Sequence, residues 1–133
     1  MTDDSLDPEL IDLANALLDA ARTGDAETVR AFLDHGAPAN LRDASGNSPL
    51  MLAAYHGHAA LVTELAARGA DVDLLNDRGQ SPLAGAAFKG FTEVATALLE
   101  AGADPDLGEP SGLATARYFE RAEIVELIEA RRA

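Results

Sequence analysis

The stretch GNSPLMLAAYHGHAALVTELAARGADVD, residues 46–73, decides the fold because it is repeated. Thirty-three residues later, residues 79–106 read GQSPLAGAAFKGFTEVATALLEAGADPD, with the same SPL and GAD strings and the same glycine spacing. The same frame extends backwards, where Leu17 lies 33 residues before Leu50. Forwards, the match resumes at Ser111, which lies 30 rather than 33 residues after Ser81. The chain is therefore predicted to be one structural unit copied and stacked four times, with modified units at both ends.

Each unit predicts two short helices. Ser48 and Ser81 are good N-caps, because a serine hydroxyl can accept a free amide of the first turn, and the prolines that follow suit the first helical position. Helices are therefore predicted to begin at Pro49 and Pro82. Gly57 tolerates the positive φ that reverses the chain between two helices. Helices this short are marginal alone, so stacking on neighbouring units must supply the core.

The repeated strings carry a family resemblance. GNSPL, AAYHGH and RGADVD, at 46–50, 53–58 and 68–73, resemble successive parts of an ankyrin repeat, and the next unit repeats most of them. The resemblance implies an all-α ankyrin-repeat solenoid, in which stacked helix-turn-helix units are joined by β-turn or hairpin fingers. The histidine that usually follows the Thr-Pro-Leu of this family is Met51 here and Ala84 in the next unit. Some of the family's hydrogen bonding between repeats is therefore expected to be missing.

The repeat frame also predicts how the chain is organised. Residues 1–6 are acidic and polar without an apolar run, so they are expected to be a disordered end. The rest of the chain is predicted to be a single domain. Its four units are an N-terminal capping repeat, two full repeats and a shortened C-terminal capping repeat, at 7–40, 41–73, 74–106 and 107–133. The first helix is expected to be longer than its equivalents, and the last unit to have a polar edge.

Composition narrows the classes of function. The 133 residues carry a net charge of −13, which argues against binding nucleic acid, since a phosphate backbone needs a basic face. Steering of a basic protein partner would also explain the charge, but solubility is the simpler interpretation and we favour it. The absence of cysteine excludes disulfides and thiolate metal sites, and no apolar stretch approaches a membrane span.

The same composition suggests where the protein works. No signal peptide is recognisable, so a cytoplasmic location is expected. The chain is rich in alanine and arginine, and Lys89 is its only lysine. Such usage is typical of GC-rich bacterial genomes, so we expect a small stand-alone bacterial protein.

Catalytic chemistry finds little support in the sequence. The three histidines are His35, His56 and His58, and no pair of them has zinc-ligand spacing with a third ligand in reach. Ser48 and Ser81 are committed to helix starts, and no histidine stands at matched spacing from both. No catalytic residue, metal ligand or cofactor is predicted.

The remaining candidate for function is a binding surface. In ankyrin-like proteins, the two residues before each inter-helix glycine line the inner groove. The resemblance therefore implies two columns of groove residues, which hold four of the six aromatic side chains of the chain. One column is Arg22, Tyr55, Phe88 and Tyr118, and the other is Thr23, His56, Lys89 and Phe119. The turns beside the groove add a polar margin with the predicted contacts Arg42, Ser45, Asn47, Arg78 and Gln80, and with Asp43, Ala44 and Asp77 beside them.

Rigid aromatic and cationic side chains on a firm scaffold are the usual anchors of protein interfaces. We therefore predict a non-catalytic protein–protein interaction module, an adaptor or regulatory partner, that acts as a monomer on a protein partner. A dedicated inhibitor or stabiliser of one enzyme is the alternative, and a catalytic module is a third class. The competing interpretation of the aromatics is packing alone, with Tyr55 and Phe88 stacked over alanines and with Tyr118 and Phe119 sealing the last unit.

Overall fold

The computed structural model describes residues 8–132, which form eight α-helices and no β-strand. The helices are α1 (Pro8–Thr23), α2 (Ala26–Asp34), α3 (Pro49–Tyr55), α4 (Ala59–Ala67), α5 (Pro82–Lys89), α6 (Thr92–Glu100), α7 (Gly112–Tyr118) and α8 (Ala122–Arg132). The prediction of an all-α fold is confirmed. The predicted disordered end at 1–6 lies outside the described residues, and the predicted unit boundaries stay a prediction.

The first helices of the later units begin as the sequence predicts. Ser48 Oγ accepts the N–H of Met51 at 3.1 Å, and Ser81 and Ser111 accept the equivalent N–H groups at 3.0 and 3.1 Å. Each hydroxyl satisfies one of the amides that a helix leaves free at its start, which stabilises the helix by about 1 kcal/mol. α1, with 16 residues, is longer than its equivalents, as expected.

The helices stack in two layers. The inner layer is made of α1, α3, α5 and α7, each packed on the next, and the outer layer continues from α4 through α6 to α8. α2 is tied to α4 by ion pairs, one between Arg30 and Glu64 and one between Arg68 and Asp34, both at 2.7 Å. The groove described below lies along the inner layer, beside the fingers that join the units.

Two ladders of apolar side chains form the core. Leu17, Leu50 and Leu83 occupy equivalent positions of the inner layer and are at most 1% exposed. Leu65, Leu98 and Ile128 form the corresponding ladder of the outer layer and are fully buried. Burying one such side chain stabilises the fold by about 1.5–3 kcal/mol, and the two middle units each contribute a member to both ladders.

The fingers are turns held by side chains, and the first two lie at residues 43–47 and 76–80. The Asp43 carboxylate accepts the backbone N–H groups of Ser45 and Asn47 at 2.8 and 2.9 Å. Each finger also bonds to the next. The N–H of Asp77 donates to the carbonyl of Ser45 at 3.0 Å, and the N–H of Glu109 donates to the carbonyl of Gly79 at 3.1 Å. The fingers therefore form a continuous rim along one side of the stack.

The two ends of the stack differ in polarity. At the C-terminal end, charged side chains such as Glu126, Glu129 and Arg131 are exposed, which agrees with the expected polar edge. At the N-terminal end, apolar side chains of the long α1 are exposed, namely Leu10, Ile11 and Leu13. Leu10 and Leu13 line an apolar recess of about 720 Å³ between α1 and α2. The exposure of these side chains was not predicted from the sequence.

None of the helices within residues 8–132 is long and apolar enough to cross a membrane.

The start of α7 offers a test of packing at the last interface. Gly112 stands where the two middle units have proline, and a Cβ atom added there would lie 2.7 Å from Cγ of the buried Leu83. We expect Gly112→Ala to lower the free energy of unfolding by about 1–3 kcal/mol, because the crowded core must shift. Urea denaturation followed by circular dichroism measures this change.

Gly85, inside α5, is the matched control. A Cβ atom at Gly85 would make ordinary contacts at 3.4 Å with the flexible end of Met51 and with the ring of Tyr55. Since alanine is the better helix former, Gly85→Ala should leave the stability unchanged or raise it by up to about 1 kcal/mol. Equal losses in the two variants would contradict the close approach at Gly112.

Candidate functional site

A groove runs between the ends of the inner helices and the fingers. It contains a cavity of about 350 Å³, and the lining includes seven of the predicted contact residues. These seven are Arg22, Ser45, Asn47, Tyr55, His56, Arg78 and Gln80. Asp43, Met51, Leu52 and Asn76 complete the lining. The frame of the repeat therefore brings together residues that are as far apart in the chain as 22 and 80.

Three aromatic rings continue the groove across the later units. Tyr55 and Phe88 are stacked, with centroids 6.4 Å apart and planes within 8° of parallel. Phe88 then meets Phe119 edge-on, at 5.2 Å between centroids. We call Tyr55, Phe88 and Phe119 the aromatic row. Phe88 and Phe119 remain 46% and 42% exposed, so the row presents apolar surface to solvent.

The expected column of aromatics differs from the structure at its last member. The repeat frame aligned Tyr118 with Phe88, but Phe119 makes the ring contact with Phe88, and Tyr118 is 75% exposed. Tyr118 contacts only the neighbouring ring of Phe119 among the aromatic side chains of the described residues. The Arg121 guanidinium lies 6.0 Å from the Phe119 ring and holds it on this side. Neither Tyr118 nor Phe119 belongs to the buried core.

Positive charge lies close to the rings. Lys89 Nζ is 5.1 Å from the centroid of the Tyr55 ring, within the range of a cation–π interaction. His56 packs edge-on against Tyr55, at 5.6 Å between centroids. Desolvation by burial lowers the pKa of His56 below its ordinary value, and positive charges nearby lower it further. These charges belong to Arg22, His58 and Lys89. His56 is therefore more strongly biased towards its neutral form than an isolated histidine.

Two side chains at one repeat position support the groove from behind. His58 Nε2 donates to the carbonyl of Arg22 at 2.8 Å. Arg121 donates from Nε to the carbonyl of Ala87 at 3.1 Å and from Nη2 to that of Phe88 at 2.8 Å. Both follow the inter-helix turn of their unit and reach back to the preceding unit. They supply hydrogen bonding between units despite the missing family histidines.

The supporting role of Arg121 was not predicted from the sequence. The sequence does indicate its position, because His58, Phe91 and Arg121 are equivalent residues of successive repeats once the three missing residues are counted. The role of Asn76, which stands 33 residues after Asp43, was not predicted either. Asn76 is buried, and its Oδ1 accepts the N–H groups of Arg78 and Gln80, both at 3.0 Å. It thus repeats in the second finger the turn that Asp43 makes in the first.

Two predicted contacts have structural bonds of their own. Arg42 donates to the carbonyls of Gly46 and Leu75 at 3.1 and 2.7 Å and so ties the first finger to the second. Thr23 Oγ1 donates to the carbonyl of Asp19 at 3.1 Å, within its own helix. Neither residue lines the cavity. Within residues 8–132, no group of three histidine, aspartate or glutamate side chains is placed to hold a metal ion.

Helix pairs stacked in register, with a rim of fingers and a groove along the inner layer, define a repeat solenoid. The chain matches the family described as ankyrin repeats (3 copies) over residues 12–109. The protein belongs to the ankyrin-repeat family. Members of this family generally mediate protein–protein interaction and are typically non-catalytic.

A bacterial relative supports the same assignment. An ankyrin repeat protein of Pseudomonas aeruginosa is 43% identical to this chain over 50 residues. The match covers 38% of this chain and 29% of the relative. The chain therefore spans less than a third of the length of this relative.

Arg121 provides a test of how the groove is supported. Arg121→Ala removes two hydrogen bonds from a charged donor and the contact with Phe119, so we expect the free energy of unfolding to fall by about 1.5–3 kcal/mol. Arg117→Ala is the control, because the Arg117 side chain forms an exposed ion pair with Glu129 at 2.8 Å and should contribute less than about 1 kcal/mol. Urea denaturation measures both variants, and an equal loss would contradict the supporting role of Arg121.

Proposed function

We propose that this protein binds a protein partner through its groove, as a non-catalytic adaptor or regulatory partner. The observation that carries the proposal is the aromatic row. Its rings are held in fixed mutual geometry on a rigid stack, so little side-chain entropy remains to be lost when a partner covers them. Large aromatic groups presented in this way are typical energetic centres of protein interfaces.

Packing alone does not account for the exposure of the row. Within residues 8–132, the exposed large apolar side chains occur in two places, the N-terminal end of α1 and the row with its neighbour Tyr118. Phe88 contacts a ring on either side and still keeps nearly half of its surface in water. Aligned apolar surface of this kind is more typical of an interaction site than scattered exposed residues are.

Adaptor and inhibitor would use the same surface. An inhibitor or stabiliser of one enzyme is the alternative, and it differs only in that the activity or lifetime of that enzyme changes on binding. We further propose that the protein acts as a monomer in the cytoplasm and binds no nucleic acid. The net charge of −13 supports the last point, because a phosphate backbone would be repelled.

The proposal is tested with a pair of matched double variants. Phe88→Ala with Phe119→Ala truncates the aromatic row, whereas Leu10→Ala with Leu13→Ala truncates exposed side chains of similar exposure at the other end. Partners are captured from lysate of the source organism with the wild type, identified by mass spectrometry, purified and titrated by calorimetry. We expect the row variant to weaken binding at least about 30-fold, as for the loss of an interface hot spot, and the control to match the wild type.

Circular dichroism must first show that both variants are folded. A partner bound equally by the wild type and the row variant would refute the groove as the site. A loss confined to the leucine variant would move the contact to the N-terminal end. Turnover of a substrate by the purified chain, abolished by the row variant, would favour the catalytic class instead.

A further inference from the structure

The groove cavity brings together two arginines and a histidine from three separate elements. Arg22 comes from the end of α1, His56 follows the end of α3, and Arg78 lies in the finger before α5. Arg22 pairs with Asp19 on its own helix. In the part of the chain that the structure describes, no carboxylate lies within ion-pair distance of Arg78 or Lys89. The cavity lining carries two arginines against one carboxylate, Asp43, in a protein whose net charge is −13.

The one carboxylate that lines the cavity is already engaged. Asp43 Oδ1 accepts the N–H groups of Ser45 and Asn47 at 2.8 and 2.9 Å, and Oδ2 lies 3.5 Å from the Asn47 amide nitrogen. These bonds form the turn of the first finger. Asp43 is therefore a poor internal partner for Arg22 or Arg78, and neither forms an ion pair with it.

A hydrogen-bond relay orients the amides of the rim. Two backbone N–H groups donate to Asn76 Oδ1, so its Nδ2 must be the donor towards its other neighbours. Asn76 Nδ2 donates to Asn47 Oδ1 at 3.0 Å and to Gln80 Oε1 at 2.8 Å. The oxygens of Asn47 and Gln80 are thereby used inside the rim. The Asn47 NH₂ group lies 3.5 Å from Asp43 Oδ2, whereas the Gln80 NH₂ group has no acceptor among residues 8–132 and remains for a ligand.

We propose that the groove selects an acidic segment of its protein partner, with an aspartate or glutamate carboxylate bound in the cavity between Arg22, His56 and Arg78. This inference rests on the proposed function and names the chemistry of the partner. The cavity offers guanidinium, imidazole and amide donors, and its one carboxylate, Asp43, is bonded within its own turn. A carboxylate accepts several such bonds at once, and arginine matches it with two parallel N–H groups. An apolar residue next to the carboxylate then lies on the aromatic row.

A selection from a random library of 12-residue peptides displayed on phage tests this preference with the full chain. We expect the enriched peptides to contain aspartate or glutamate well above the unselected frequency, next to an aromatic or aliphatic residue. The enrichment in acidic residues should disappear when the bait carries Arg22→Gln and Arg78→Gln. The control bait carries Arg117→Gln and Arg131→Gln, which change the net charge equally but lie away from the groove.

The outcomes separate this inference from the proposed function. Enriched peptides that are neutral or basic, and that lose binding with Phe88→Ala and Phe119→Ala, would overturn the acidic preference and keep the groove. Acidic enrichment that is unchanged by the Arg22 and Arg78 variants would also overturn it. A library from which no peptide is enriched would overturn both the inference and the groove.

A synthetic peptide from the selection then locates the carboxylate. Replacing its glutamate or aspartate by the matching amide should weaken binding about tenfold or more, since a charge-assisted pair is lost. An unchanged affinity would overturn the proposal.

His56 adds a pH dependence to the same complex. A bound carboxylate favours the protonated imidazole, so binding takes up a proton, and affinity should rise as the pH falls from about 7.5 to about 5.5. Peptide carboxylates stay ionised over this range. The titratable groups that line the cavity with His56 are Arg22, Asp43, Tyr55 and Arg78. His58 and Lys89 lie outside the lining and, like Arg22, lower the pKa of His56 by their charge.

Fluorescence anisotropy of the labelled peptide measures this dependence. His56→Gln should bind with an affinity that hardly changes with pH, and His35→Gln, far from the cavity lining, should behave as the wild type. A wild-type affinity that is independent of pH would overturn the placement of the carboxylate beside His56.

Discussion

Neighbouring inner helices approach each other through alanines, and the rest of the structure depends on this close approach. Ala54 and Ala87 have no exposed surface, and each directly precedes a ring of the aromatic row. Because the helices meet at short range, Tyr55 and Phe88 are brought near enough to stack at 6.4 Å. Larger side chains below would separate the units and open gaps between the rings. The core residues and the groove residues therefore impose one common spacing, and the surface of the groove is a direct product of the packing beneath it.

The backbone carbonyls at the groove are a second point where fold and site meet. Helix ends leave carbonyls without partners inside the helix, and these must be satisfied from elsewhere. Here the side chains of His58 and Arg121 do so from the following unit, at the carbonyls of Arg22 and Phe88 among others. The same bonds that close the helix ends also fix the backbone of groove residues. A groove held in this way is organised before binding, which reduces the entropy lost on association.

The structural features that could be predicted from the sequence are those set by neighbouring residues or by the repeat. The helix starts at Pro49 and Pro82 follow from a serine cap and a proline, and the core follows from leucines and alanines at repeated positions. The choice of Phe119 over Tyr118 as the neighbour of Phe88 was not predictable in this way, because it depends on how a shortened unit sits against the one before it. Asn76 was missed because its role requires two fingers to be adjacent. The exposed leucines of α1 were missed because they fit the helical pattern of a buried face, and only the stack shows that no unit within residues 8–132 covers them.

Lys89 gives the groove a practical property. It is the only lysine in the sequence, and its ammonium group stands over the Tyr55 ring. Any reagent that acylates amines will therefore react with this chain at its α-amino group and inside the groove. Immobilising the protein on a sensor surface by amine coupling, or labelling it with an amine-reactive dye, attaches a fraction of the molecules through the very surface under study. A site-specific tag or a cysteine introduced on the outer layer leaves the groove open, and the cysteine-free sequence makes such a label unique.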